Sequence, residues 1–435
     1  MQGSKIVVMV GLLALLANGA VAQGPPPHGQ SLRLTVSQAE QIAIRNNPDI
    51  SVSRLAAMAS HEVWRETRAA LLPSAFSSLT AVDTNGGNRI SAGALNNPII
   101  YDRAAYGATV AQLITDFGRT KNTVAGARFH AQAQAQTSLA TANEIKLAVD
   151  REFYSALGAA SVLNVARQTV ESRRLLADQV TTLAQNKLKS SLDVAFANTN
   201  LEQARLLLLD AENQYNTTLA GLAEVLGYVG PQNFELIDEV QGVPEPSPDV
   251  DQLVSTAFQQ RPEVKAEDLQ IQAARKLQTA AWEQSLPSIR ALGVAGEAPI
   301  RDDHITSWYG AVGVNVEIPL FTGFRISAQT HEAQLQTEAE NEHLIGLRNA
   351  ISRDVRTSWL AANTAYRRLS VTAVLLQQTK LGLDLAQTRY RLGLGSIVEV
   401  SQAQLAETSA EIETARARYD YLLAQAVIRF ETGSI

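Results

Sequence analysis

The sequence predicts a mainly α-helical protein with paired strands that fit a membrane β-barrel portion, and three observations lead to this fold class. Two long stretches without proline, 99–230 and 320–435, are rich in the residues that favour helix. A segment that alternates between apolar and other residues, 308–318, precedes the second stretch and predicts a strand. The same order of features occurs twice along the chain, which indicates an internal duplication.

The N-terminus has the pattern of a secretory signal peptide. One lysine within residues 1–5 precedes an apolar run over 6–16, and residues 20–22 form a small-x-small cleavage motif. The apolar run is shorter than the ~20 residues that a spanning helix needs, so a retained anchor is the less favoured alternative. We assign 1–22 to the signal peptide and expect the mature chain to begin at Gln23.

The composition argues against disulfide bonds, a lipid anchor and nucleic-acid binding. The chain has no cysteine, and therefore no disulfide framework, no thiolate chemistry and no cysteine for a lipid anchor. The net charge is −6, and lysine and arginine are scattered singly. Because nucleic-acid binders concentrate basic residues on one face, nucleic acid is not expected as a partner.

The two proline-free stretches contain long helices that pack on one another. Positions that are apolar, apart from Thr408, recur at alternating intervals of three and four residues, as at 201, 204, 208 and 211 and again at 405, 408, 412 and 415. This spacing is typical of a coiled-coil seam, although one amphipathic helix on a globular core would also produce it. A helix over 325–391 would extend roughly 100 Å at ~1.5 Å per residue, which favours long antiparallel helices.

Matched residues keep constant separations between the two halves. Arg119 and Arg325 are 206 residues apart, and Pro48 and Pro262 are 214 apart. Each half runs through a short helix, a helix of about 25 residues, a strand pair, a long helix, a turn and a return helix. We divide the chain into a first repeat over 23–230, a linker over 231–249 with one short strand or helix, and a second repeat over 250–435.

The predicted strands form one hairpin in each repeat, at about 74–114 and 288–319. Their strands are predicted over 74–82, 106–114, 288–294 and 308–318, with polar loops over 83–105 and 295–307. In the last strand Val312, Val314 and Val316 alternate with smaller or polar residues such as Asn315. Aromatic residues at its ends fit either interfacial anchors or ordinary packing. Four strands cannot close a barrel, so several chains must share one if the strands lie in a membrane.

Each long helix is predicted to break at a short turn before its return helix. "RLGLGSIVEV" over 391–400 has two glycines before a serine and an acid, and "NKLKSSLDV" over 186–194 has lysines in the glycine positions. A serine followed three residues later by an acid is ordinary helix capping, which stabilises by ~0.5–1 kcal/mol and needs no further role.

Catalysis is not predicted. His61 and His331 each precede a glutamate but lack a second histidine four residues later, so no zinc-protease helix is present. The sequence shows no nucleophile elbow and no phosphate-binding loop. We therefore predict no enzyme activity, no cofactor and no metal site.

Six motifs, taken in their order along the chain, resemble those of the TolC-type outer-membrane efflux proteins. They are "LTVSQAEQIAIRNNPDI", "LITDFGRT", "SSLDV", "RPEV", "PLFTGFR" and "RYRLGLGSIVEVSQAQ". The resemblance implies a homotrimer in the outer membrane that extends into the periplasm, with twelve shared strands and a hollow α-helical barrel. It implies an exit duct for tripartite efflux or type I secretion, together with a periplasmic adaptor, an inner-membrane transporter and outer-membrane lipid as partners. The cargo is left open between drugs, metal ions, siderophores and polypeptides.

The resemblance also implies roles for the turns. Leu392, Gly393 and Leu394 match the turn on which adaptor hairpins dock, and Gly395 and Ser396 follow it. In the first repeat Lys187, Leu188, Lys189 and Ser190 take these places, so docking there is expected to differ.

The same resemblance implies an acidic constriction at the periplasmic entrance. Asp193 and Glu399 match its acidic positions, Gln402 stands where the family has a second acid, and a basic partner near Gly395 is missing. A wholly periplasmic coiled-coil adaptor of an export complex is the alternative function. Such an adaptor would need neither the strand pairs nor the duplication.

Overall fold

The computed structural model describes residues 32–82, 103–230, 232–239, 242–247, 249–301 and 306–435. The predicted signal peptide and the start of the mature chain at Gln23 lie outside these residues, as does most of the predicted loop over 83–105.

Two successions of elements make up the described chain. The first contains β1 (Leu32–Leu34), α1 (Val36–Asn46), α2 (Pro48–Ala69), β2 (Ser74–Val82), β3 (Arg103–Thr115), α3 (Arg119–Gln185) and α4 (Ser191–Val225). The second contains β4 (Phe234–Leu236), α5 (Val250–Gln260), α6 (Pro262–Glu283), β5 (Ser288–Ile300), β6 (Trp308–Glu317), α7 (Arg325–Arg391) and α8 (Ile397–Glu431).

Equivalent helices in the two successions have equal lengths. α1 and α5 have 11 residues each, α2 and α6 have 22, α3 and α7 have 67, and α4 and α8 have 35. At ~1.5 Å per residue, each 67-residue helix is roughly 100 Å long. The predicted span of α7 is confirmed at both ends. No helix in the described part of the chain combines the length and apolarity required to cross a membrane.

Four antiparallel strands form one sheet in the order β2-β3-β5-β6. The central pair joins the two halves, with Val110 opposite Gly293 and Ala111 opposite Leu292. β2 and β6 form the edges of this sheet. The apolar residues of β6, among them Val312 and Val314, are exposed in the single chain.

The strands differ from the prediction in three main places, the first of which is the start of β3 at Arg103, three residues before the predicted start at 106. β5 extends to Ile300, beyond the predicted end at residue 294, because small residues such as Ala295 and Gly296 continue its pairing with β3 without a periodic apolar signal. β1 was not predicted, since three residues are too few to show a period; it pairs in parallel with β4, the short strand that the linker was expected to contain.

Each return helix ends against the bend between the two short helices of its own repeat. In the first repeat, the Asn47 amide donates to the Val225 carbonyl oxygen at the end of α4, at 2.9 Å. In the second, the Arg261 guanidinium donates to the carboxylate of Glu431 at the end of α8, at 2.7 Å. The junction in the first repeat is therefore held by a neutral hydrogen bond, and the equivalent junction in the second repeat by an ion pair.

Candidate functional site at the helical turns

The turn between α3 and α4 closes with a Schellman motif, although it has no glycine. The Lys187 N–H donates to the Ala184 carbonyl at 2.9 Å, and the Leu188 N–H donates to the Leu183 carbonyl at 2.9 Å. Lys187 adopts a left-handed conformation, with φ of 61°, that most side chains avoid.

The turn between α7 and α8 has the same backbone geometry. Gly393 has φ of 75°, and its N–H donates to the Tyr390 carbonyl at 3.1 Å. The Leu394 N–H donates to the Arg389 carbonyl at 2.8 Å. The two turns therefore differ in side chains and strain, while the path of the backbone is preserved.

The left-handed positions predict opposite responses to substitution. Gly393→Ala should destabilise the turn by about 1 kcal/mol, because a Cβ disfavours this conformation even though open space surrounds it. Lys187→Gly should be neutral or slightly stabilising, because relief of strain offsets the flexibility that glycine adds to the unfolded chain. Amide hydrogen exchange at Leu188 and Leu394 measures both effects.

A matched control lies within α7. Gly382 is helical and has open space around its missing side chain, so Gly382→Ala should stabilise the helix by about 0.5–1 kcal/mol. Faster exchange in Gly382→Ala, or unchanged exchange in Gly393→Ala, would contradict the assigned strain.

Asp193 is a helix cap that also contacts the second turn. The Ser190 N–H donates to its carboxylate at 2.9 Å, and its own N–H donates to the Ser190 hydroxyl at 3.2 Å. The Tyr390 hydroxyl donates to the same carboxylate at 3.3 Å. Partial burial opposes ionisation of Asp193, but the hydrogen bonds from Ser190 and Tyr390 outweigh it and lower its pKa.

Glu399 uses its carboxylate differently. Its N–H donates to the Ser396 hydroxyl at 3.2 Å, while its carboxylate lies 3.6 Å from Nε of Arg389 on α7. A Cβ on Gly395 would lie 2.8 Å from the same carboxylate, so glycine permits this close approach. Arg389 therefore supplies a cation beside Glu399 that we did not anticipate, because ten residues and a turn separate the pair.

Lys189 and Tyr390 join the two turns. The ammonium of Lys189 lies 3.6 Å from the centre of the Tyr390 ring and donates to the Tyr390 carbonyl at 3.3 Å. Tyr390 packs in an apolar cluster with residues of α3, α4 and α8, including Val180, Leu201 and Val400. Burial and the nearby Asp193 raise the pKa of Tyr390 to about 12, so its hydroxyl is a donor at physiological pH.

Three leucines project from the turns. Leu188, Leu392 and Leu394 are each 69% exposed. Apolar side chains grouped on an exposed turn are a common feature of surfaces that bind a protein partner.

Gln402, which we expected to matter at the constriction, is exposed on α8. The buried amide nearby is Gln404, which is 1% exposed. Arg173 of α3, also buried, donates to the backbone carbonyl of Gln404 at 3.0 Å and to the Thr408 hydroxyl at 2.9 Å. Neither Arg173 nor Gln404 was identified from the sequence, because a helical period does not distinguish a buried polar residue from an exposed one.

A protein-family model described as outer membrane efflux protein matches residues 40–228 and 253–434. Outer membrane protein TolC of Escherichia coli (strain K12) is 22% identical over 65% of this chain and 60% of its own length. Protein CyaE of Bordetella pertussis is 25% identical over 68% of this chain and 63% of its own length. The chain therefore spans less than two thirds of the length of these curated relatives.

Solved structures share the fold over nearly the whole chain. The structure of CusC superposes with a TM-score of 0.81 at 17% identity and covers 92% of both chains. The CmeC outer membrane channel of Campylobacter jejuni superposes with a TM-score of 0.79 at 17% identity, over 92% of this chain and 85% of its own. At these identities the superpositions establish the fold alone.

Proposed function

The chain belongs to the outer membrane efflux protein family, and on this premise we propose that it is the outer-membrane exit duct of a tripartite efflux or type I secretion system. The observation that carries the proposal is the combination of two 67-residue helices with one four-stranded sheet. The sheet suits the outer membrane, and helices roughly 100 Å long suit a path through the periplasm. The family is a transport family, which favours this function over catalysis.

The proposed assembly is a homotrimer. β2 and β6 are edge strands, and an open edge in hydrocarbon would leave backbone N–H and C=O groups without partners. Pairing β6 of one copy with β2 of the next would close a twelve-stranded barrel in three steps.

Membrane fractionation tests the exit duct against a periplasmic adaptor. An exit duct should be extracted from outer membranes as a trimer whose electrophoretic migration changes on heating. A soluble monomer in periplasmic extract would refute the proposal and favour the adaptor, which has no need of β2, β3, β5 and β6.

The turns are the proposed contacts with the other components. Adaptor hairpins would dock on the turn that contains Leu392, Gly393, Leu394, Gly395 and Ser396. Its counterpart in the first repeat consists of Lys187, Leu188, Lys189 and Ser190. The shared backbone geometry and the exposed leucines support docking at both turns. An inner-membrane transporter would deliver substrate through the adaptor.

The proposed constriction consists of Asp193 and Glu399 from three copies, with Gln402 beside them. Carboxylates around a narrow entrance should make the channel prefer cations. Asp193→Ser with Glu399→Ser should reduce this preference in single-channel recordings. Arg389→Gln should increase it, because Arg389 lies beside Glu399. The preference should weaken as salt shortens the Debye length from ~10 Å at 0.1 M to ~3 Å at 1 M.

Glu338→Gln is the control, because it removes an acid near the opposite end of α7. It should leave selectivity unchanged. If the double serine variant kept the selectivity and conductance of the parent, Asp193 and Glu399 would be helix caps alone.

A further inference from the structure

Three side chains capable of binding metal converge between α6 and α7, far along the chain from the turns. They are Glu267 on α6 and Glu340 and His343 on α7. One ligand atom from each lies within 4.8 Å of the other two. Nδ1 of His343 lies 3.0 Å from a carboxylate oxygen of Glu267.

Glu267 is a buried carboxylate that is only partly satisfied by its neighbours. Glu267 is 8% exposed, and its Oε1 has no hydrogen-bond partner among the described residues. The nearby Glu340 carboxylate has no proton to donate while it is ionised. Two neighbouring carboxylates, one of them buried, require compensation for their charge. A single proton, held by His343 or shared between the carboxylates, balances one of the two charges, whereas a divalent cation would balance both.

The backbone presents the three groups in a geometry that suits a metal ion. Glu340 and His343 are three residues apart, so they share one face of α7. A Glu-x-x-His pair on one helix with a glutamate from its neighbour is a donor set found in metal-binding helical bundles. Two carboxylate oxygens and one imidazole nitrogen suit Zn²⁺, Mn²⁺ or Fe²⁺ better than Ca²⁺ or Mg²⁺, which prefer oxygen alone.

Solvent reaches the three groups through a groove. The groove has a volume of about 780 Å³ and is also lined by His130, Gln336 and Thr67. An ion could therefore enter without unfolding of the helices, and water could complete its coordination.

The first repeat lacks this cluster. The residues equivalent to Glu267, Glu340 and His343 are Ser53, Gln134 and Thr137. Ser53 contacts the Ser138 hydroxyl at 3.2 Å in a neutral arrangement. The equivalent helix pair in the first repeat, α2 with α3, therefore forms without these charged groups.

We propose that Glu267, Glu340 and His343 bind one divalent transition-metal ion that links α6 to α7. The site is independent of the proposed transport function, and its ion is bound by the wall of the protein and is not cargo. We predicted no metal site from the sequence, because the spacing of ligands within one helix does not reveal a set that comes from two helices.

The test uses the full-length protein in detergent, stripped of metal with a chelator and titrated with Co²⁺ and Zn²⁺. We expect one ion per chain, a visible Co²⁺ absorption band from nitrogen and oxygen ligands, and a higher melting temperature with Zn²⁺. Glu340→Gln and His343→Ala should each weaken binding at least ten-fold. Glu342→Gln, which removes an exposed acid one residue before His343, should bind metal like the parent.

The variant Glu267→Gln distinguishes a bound ion from a shared proton as the explanation of the cluster. A glutamine amide can donate to Glu340, so this variant should melt at or above the temperature of the stripped parent while losing Zn²⁺ binding. This result also shows that lost binding is not lost folding. Binding that survives Glu340→Gln and His343→Ala, or no stoichiometric binding by the parent, would overturn the proposal and leave a proton, on His343 or between the two carboxylates, as the compensating charge.

Discussion

Arg261→Ala should lower the free energy of unfolding by about 3 kcal/mol, because removal of one partner from a buried ion pair leaves the other charge uncompensated. Arg261 is 8% exposed and pairs with Glu431 at 2.7 Å and with Glu263 at 2.9 Å. Its guanidinium also lies 5.4 Å from the centre of the Phe430 ring. Thermal or denaturant unfolding of the protein in detergent measures the loss of stability.

The loss should depend on pH. Burial raises the pKa of Glu431, and Arg261 opposes that rise. A carboxyl whose pKa is higher in the folded state favours folding at low pH, and this contribution disappears as pH rises through the folded-state pKa. Without Arg261 the pKa of Glu431 should rise further, so Arg261→Ala should be less damaging at pH 5 than at pH 8.

A double variant provides the control for this junction. Arg261→Met with Glu431→Gln removes both charges and keeps much of the packing, so it should cost less than Arg261→Ala alone. Equal losses at both pH values, or a larger loss in the double variant, would show that Arg261 acts through packing alone.

Val314→Arg should cost about 2–4 kcal/mol and reduce the yield of assembled trimer, if the apolar face of the sheet contacts lipid. Val314 lies opposite Ala291, and Val316 lies opposite Ile289. Directly opposite residues share a face, so these apolar side chains form one surface. Val314 is also near the middle of a ten-residue strand, where lipid exposure of a charge is most costly.

Asn315 offers the matched position on the other face. It lies opposite Arg290, so this face already has a cation. Asn315→Arg should lower the free energy of unfolding by less than about 1 kcal/mol, through repulsion from Arg290, and Asn315→Glu should be tolerated. Equal trimer yields for Val314→Arg and Asn315→Arg, measured by electrophoresis without heating, would refute the assigned faces.

The helices were predictable because their determinants are local. The absence of proline after Pro319 and the helix-forming composition lead directly to α7, which begins at Arg325 and ends at Arg391 as predicted. The alternation around Val314 likewise predicts β6. The serine caps of α4 and α8 are also visible as a serine three residues before an acid.

The amino-acid sequence by itself determined the duplication, the lengths of the long helices and the family, because periodicity, proline positions and ordered motifs are properties of neighbouring residues. Only the tertiary structure decided which distant groups meet: Arg389 beside Glu399, Arg261 on Glu431, and Glu267 against Glu340 and His343. It also decided that Lys187 adopts the left-handed conformation of Gly393. The physical reason is that charge pairing, burial and a strained φ depend on packing between helices, which spacing along one helix does not specify.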